Sequence, residues 1–187
     1  MDYSKKRHKQ LVIRSQDLKN QGQNLFIENP EEDSELSKYN IVVEEQVFWT
    51  HRENFFLLMK NFLDNILDFD EFETAFSLLY RKTTEEVDMF IIDLKQIDKF
   101  QPSLTRPYRF ASFIGSIFRQ FEEVEDEYCT ERDVKDFVKE VYLKSQIFQL
   151  DQQLALAEKY LNFTKALLGF TSLLAIYQVL EIFSWVK

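Results

Sequence analysis

Phe55, Met59, Phe62 and Ile66 recur at the three-and-four-residue spacing of one helix face, flanked by Phe56, Leu63 and Leu67. The same period returns in Phe69, Phe72, Phe76 and Leu79, and again in Val87, Phe90, Ile91, Leu94 and Ile97. Phe110, Phe113, Ile114, Ile117, Phe118 and Phe121 make a wide apolar face, suited to a central helix. Val134, Phe137, Val138, Val141 and Tyr142 make another. The pattern predicts five amphipathic helices between residues 48 and 148.

Polar residues punctuate these stripes. Thr50-His51-Arg52-Glu53, Asp68-Phe69-Asp70-Glu71 and Thr83-Thr84-Glu85-Glu86 each have the spacing of a capping box, in which cap and third residue satisfy each other's amides. They predict helix starts at Thr50, Asp68 and Thr83. Leu67 and Phe72 have the spacing of a hydrophobic staple around the second start. Thr130 with Asp133 opens the fifth helix. Gln101–Pro107, with two prolines, is the longest predicted loop inside the domain, and the fourth helix is expected over about Tyr108–Val124. Gly115 inside it implies a close helix crossing.

The ends differ from the middle. Residues 1–47 are polar, with a basic cluster at Lys5, Lys6, Arg7, His8 and Lys9 and an acidic stretch from Pro30 to Glu35; they are expected as a flexible arm, with at most a short strand or helix at Tyr39–Val43. From Ala166 to Val186 the chain is nearly all apolar, bracketed by Lys165 and Lys187, with Trp185 near one end. Gln178 and Glu181 interrupt it, on one side of the helix with Thr171. Two readings stand: a helix that spans or lies on a membrane, or a helix packed on protein or in an oligomer.

Composition narrows the class. Three glycines and three prolines in 187 residues are too few for an all-β chain. Nineteen phenylalanines point to an AT-rich genome, of an organelle or a low-GC bacterium. The net charge of −9 disfavours nucleic acid and anionic membranes and favours a basic partner. One cysteine, Cys129, excludes an internal disulfide, and its acidic neighbours raise its pKa, away from nucleophilicity. His8 and His51 lie far apart without companions at metal spacing.

No motif carries catalysis. The glycines are isolated, so no phosphate loop forms, and no His-centred triad can be built. The segment ending at Glu71 imitates the end of a calcium loop, but Lys60, Phe62 and Asn65 stand where ligands and the turn glycine belong. The chain is read as a non-enzyme with no metal and no cofactor. Glu122-Glu123-Val124-Glu125-Asp126-Glu127 is the densest acidic run. Carboxylates are unfavourable at a helix C-terminus, which argues for use, although a solvated corner also accounts for them.

Leu58-Met59-Lys60-Asn61-Phe62-Leu63, a turn, and Glu71 through Lys82 resemble the opening of the small acidic immunity proteins of the colicin D and pyocin type. Phe118 through Glu122, Tyr128 and Val134–Val141 are similar to their closing helices. Related open reading frames occur in algal plastid genomes. The resemblance covers about half the chain. It implies an antiparallel helical bundle whose acidic surface inhibits a basic, RNA-cleaving toxin domain. The residues that would correspond are Asp68, Asp70, Glu71 and Glu73, with Glu122, Glu123, Glu125, Asp126 and Glu127. The polar N-terminal extension and the apolar C-terminal helix depart from the family.

The expectation is therefore an all-α protein: a flexible arm at 1–47, an antiparallel helical bundle at 48–148, and an apolar C-terminal helix at 149–187. Its expected function is non-catalytic binding of a basic protein partner, in a plastid if organelle-encoded or otherwise in a bacterial cytoplasm. The alternative is a membrane-associated plastid protein of structural or assembly role, anchored by Ala166–Val186.

Overall fold

The structure, a computed structural model, describes residues 3–102, 109–125 and 128–185. All regular structure among them is helical: α1 Lys5–Asn20, α2 Leu25–Glu28, α3 Pro30–Thr50, α4 Arg52–Leu63, α5 Phe69–Ile92, α6 Leu94–Lys99, α7 Phe110–Glu125 and α8 Glu131–Trp185. Two compact units divide at Ser145 and Gln146.

The expectation of a flexible N-terminal arm is corrected. Residues 5–20 and 30–50 are helical and supply Leu11, Val12, Tyr39, Val43 and Val47 to the buried core of the first unit. Ser4 caps α1. Lys5, Arg7, His8 and Lys9 of the basic cluster make tertiary contacts, and Lys6 is exposed. Arg7 forks onto Glu35 of α3 at 2.7 and 3.0 Å, and Lys9 Nζ reaches Asp98 Oδ2 of α6 at 2.7 Å. His8 is fully buried, its ring stacked on Tyr39. Tyr3 Oη lies 2.8 Å from its Nδ1 and Asn40 Oδ1 lies 3.3 Å from its Nε2. A neutral ring that accepts from Tyr3 and donates to Asn40 satisfies all three groups. Burial lowers the histidine pKa accordingly.

The acidic stretch has a local cause too. Asn29 accepts from Glu32 N–H, Pro30 occupies the first helical position, and Glu31, Glu32 and Asp33 fill the first turn of α3. That is how a helix N-terminus is specified, by cap, proline and dipole together.

Two expected helix starts are helix interior or end instead. Thr50 closes α3, its hydroxyl donating to Gln46 O at 2.9 Å, and no side chain caps α4. Thr83 and Thr84 lie within α5, donating to Leu79 O and Tyr80 O one turn back. A threonine hydroxyl can serve either geometry, and packing selects between them. Of the expected loop Gln101–Pro107, residues 103–107 lie outside the described residues.

In the first unit α3 packs against α1, α2, α4, α5 and α7. Aromatic rings run through the core in sequence: Phe48 on Phe55, Phe55 on Phe76, Phe76 on Phe72, and Phe72 stacked on Phe62 at 4.3 Å. Each buried ring contributes about 2 kcal/mol, and the edge-to-face contact of Phe55 with Phe76 adds to it. Phe110 joins this core through Trp49 and Phe56. Gly115 of α7 faces Tyr80 of α5, and a Cβ there would meet Tyr80 Oη at 3.4 Å, an ordinary contact. The start of α8 adds Val134, Val138 and Val141 to the buried set.

A carboxylate seats α7. Glu45 of α3 is buried and accepts from Ala111 N–H at 3.2 Å, with the N–H groups of Phe110 and Ser112 also directed at it. It satisfies amides that the first turn of a helix otherwise leaves unpaired.

The second unit, Gln146–Lys187, is helical as far as it is described. Ile147, Leu150, Leu154, Leu156, Tyr160, Leu161, Phe163, Leu167 and Leu168 are exposed on it. Among the described residues no helix is long and apolar enough to cross a membrane. Val186, the last residue of the expected span, lies outside the described residues.

Candidate protein-binding surface

The candidate surface is built from three helix ends. α4 stops at a turn where Asn65 takes a left-handed conformation, φ 56°, which asparagine tolerates better than other non-glycine residues. Ile66 N–H closes that turn onto Asn61 O at 2.8 Å. The chain then enters α5 through the expected capping box: Glu71 N–H donates to Asp68 Oδ1 at 2.9 Å, and Asp68 N–H donates to Glu71 Oε2 at 3.1 Å. Asp68, Asp70 and Glu71 are exposed, and Glu73 is half-buried and engaged with a neighbour.

Phe121, near the end of α7, packs edge-on against Phe69 and Phe72 in the first turn of α5. The contact brings exposed Glu122 and Glu123 to the end of the unit that carries Asp68, Asp70 and Glu71. Glu123 accepts from Gln120 Nε2 at 2.6 Å, and its carbonyl takes Tyr128 N–H at 2.8 Å. Glu125 ends α7, and Asp126 and Glu127 lie outside the described residues.

α8 begins at the same end. Thr130 and Asp133 cap each other as expected: Thr130 N–H donates to Asp133 Oδ2 at 2.9 Å and Asp133 N–H donates to Thr130 Oγ1 at 3.3 Å. The Thr130 hydroxyl also donates to Asp133 Oδ2, at 2.7 Å, and that bond, followed by the one from Thr130 N–H, lowers the Asp133 pKa. The Cys129 thiol, partly buried beside Glu123 and Asp133, is shifted up, chiefly by desolvation and then by the two carboxylates.

Lys135 ties α8 back to the turn, donating to Asn65 Oδ1 at 2.5 Å with its ammonium 5.0 Å from the Phe62 ring centre. Between α8 and the turn lies a cleft of about 440 Å³, floored by Phe62, Leu67 and Phe69 and rimmed by Asp68, Glu131, Arg132 and Lys135. Glu131, Arg132 and Lys135 escaped the sequence reading. Nothing in a one-dimensional pattern says that the first turn of α8 meets the α4–α5 turn.

The surface offers exposed carboxylates around an apolar hollow, with two cations of its own beside it. Among the described residues no group of three or more acidic, histidine or cysteine side chains could hold a metal ion. No protein-family model, curated protein or solved structure matches the chain.

Proposed function

We propose that the chain is a non-catalytic binding module of immunity type. Its first unit acts as an antiparallel helical bundle that presents an acidic end to a basic protein partner, and its second unit is an apolar C-terminal helix. A toxin nuclease domain is the partner class that the sequence resemblance suggests. The observation that carries the reading is the packing of Phe121 on Phe69 and Phe72, which gathers carboxylates from two helices, distant in sequence, at one end.

Opposite surface charge would steer the encounter and make association fast and salt-sensitive. The hollow over Phe62, Leu67 and Phe69 suits a side chain with an apolar stem, and the Asp68 and Glu131 carboxylates suit a cationic head.

The test is binding of a basic, RNA-cleaving nuclease domain of the colicin D type, followed by biolayer interferometry at low and physiological salt. Tight, salt-weakened binding that blocks RNA cleavage supports the reading. Binding left unchanged by the combined variant Asp70→Asn, Glu122→Gln and Glu123→Gln removes the acidic end from the interface.

A further inference from the structure

Only three side chains of α1 are buried, Leu11, Val12 and His8, and one of the three titrates. The other ties of this helix are polar and peripheral. Arg7 pairs with Glu32 and Glu35 of α3, and Arg14 with Glu32. Lys5 and Lys9 reach Asp98 of α6, and Gln16 Nε2 donates to Ile92 O at the end of α5, at 3.3 Å. Beneath the helix lie Tyr39 and Phe100, whose rings meet those of His8 and Tyr3.

Nothing around His8 compensates a second proton. Its ring touches Tyr3, Tyr39 and Asn40, all neutral. On α3, Glu32 and Glu35 are engaged by arginines and Lys38 is exposed. On α6, Asp98 is engaged by lysines, and Lys95 and Lys99 are exposed; on α2, Glu28 is exposed. Protonation would put a charge in a dry site and turn Nδ1 into a donor facing the Tyr3 hydroxyl. Desolvation accordingly lowers the His8 pKa, and Asn40 offsets only part of it. The Arg7 hydrogen bond holds the Glu35 pKa down, so that pair persists from pH 8 to 5.

A joint follows α1. Gly22 has φ 73°, a conformation that glycine adopts without strain, and a Cβ there would touch nothing within 4 Å. Beyond it, buried Leu25 belongs to α2, which packs on α3.

We propose that α1 is an acid-released strap: protonation of His8 lets residues 3–20 swing about Gly22 and uncover Tyr39 and Phe100, while α3, α4, α5 and α7 keep their packing. Gln16 and Ile92 place the strap at the far end of α5 from Asp68, so its release and binding at the acidic end succeed or fail separately.

The experiment is hydrogen exchange of the full chain at pH 8, 6.5 and 5, read peptide by peptide as protection factors, which removes the intrinsic pH dependence of exchange. An open strap carrying a histidine of ordinary pKa makes opening up to about thirtyfold more favourable at pH 5. Protection over α1 is expected to fall accordingly, and protection over α4 and α5 is expected not to fall with it. His8→Asn, which does not titrate, should abolish the pH dependence over α1. Protection of α1 that is constant with pH, that falls equally in α5, or that falls as steeply in His8→Asn overturns the strap. If His8→Asn leaves α1 unprotected at pH 8, NMR titration of the wild-type His8 ring decides. A midpoint below about 6.5 upholds the proposal, and one at or above it overturns it.

Discussion

The Glu45 carboxylate on α3 accepts the backbone N–H of Ala111, 66 residues further along, and both residues are buried. Burial pushes the Glu45 pKa up to about 7, against the pull of the α7 amides, while neighbouring Glu44 adds to the rise. The folded chain therefore keeps a proton that the unfolded chain releases above its ordinary value of 4.5. The stability that this proton confers is present below 4.5 and is lost as pH rises through about 7. Glu45→Gln keeps an acceptor for Ala111 and removes the charge. Relative to wild type, it should gain stability between pH 5 and 8, by on the order of 3 kcal/mol at the upper end. Urea midpoints at three pH values check this; a constant difference between the two proteins contradicts it.

His8 works in the opposite sense. Its folded pKa is lowered, so the unfolded chain takes up a proton first and stability falls as pH drops below about 6.5. His8→Phe should cost about 1–3 kcal/mol at pH 8, where Tyr3 and Asn40 lose their partner. The deficit should shrink at pH 5. Thermal melts at the two pH values give the comparison.

Leu11 distinguishes a packed segment from a loose one. It is 1% exposed, so Leu11→Ala should destabilise the first unit by about 2–4 kcal/mol. The same change in a flexible arm would leave the urea midpoint where it was.

Thr84 tests whether α5 is continuous. Proline is tolerated at the first position of a helix and costs about 3 kcal/mol or more in its interior. Thr84→Pro should therefore be strongly destabilising. A midpoint close to wild type would restore Thr83 as a helix start.

Asp68 and Asp70 separate folding from binding. Asp68→Ala removes the acceptor for Glu71 N–H and should cost about 1 kcal/mol. Asp70→Asn should change stability by less than about 0.5 kcal/mol, so any affinity that it loses reports on the surface itself. Urea midpoints of the purified variants set beside their binding constants make the distinction.

The apolar period, with the scarcity of glycine and proline, determined the all-α class, because helix faces repeat within a few residues and need no distant information. It also located the Asp68 box and the Thr130–Asp133 cap, where both partners are three residues apart. The start of α3 was equally legible in Asn29-Pro30-Glu31-Glu32, although the acidity of that stretch suggested disorder. Tertiary structure decided the rest. Thr50 and Thr83 had the letters of caps, but a hydroxyl bonds one turn back just as readily, and only packing chose. Residues 1–47 looked too polar for a core. Their polar groups are matched by Glu35, Asn40 and Asp98, two of them within the stretch itself and one far beyond it. The cleft beside Asp68 is lined from both sides by residues such as Lys135 and Asn65, in contact across 70 residues, a pairing that no local pattern encodes.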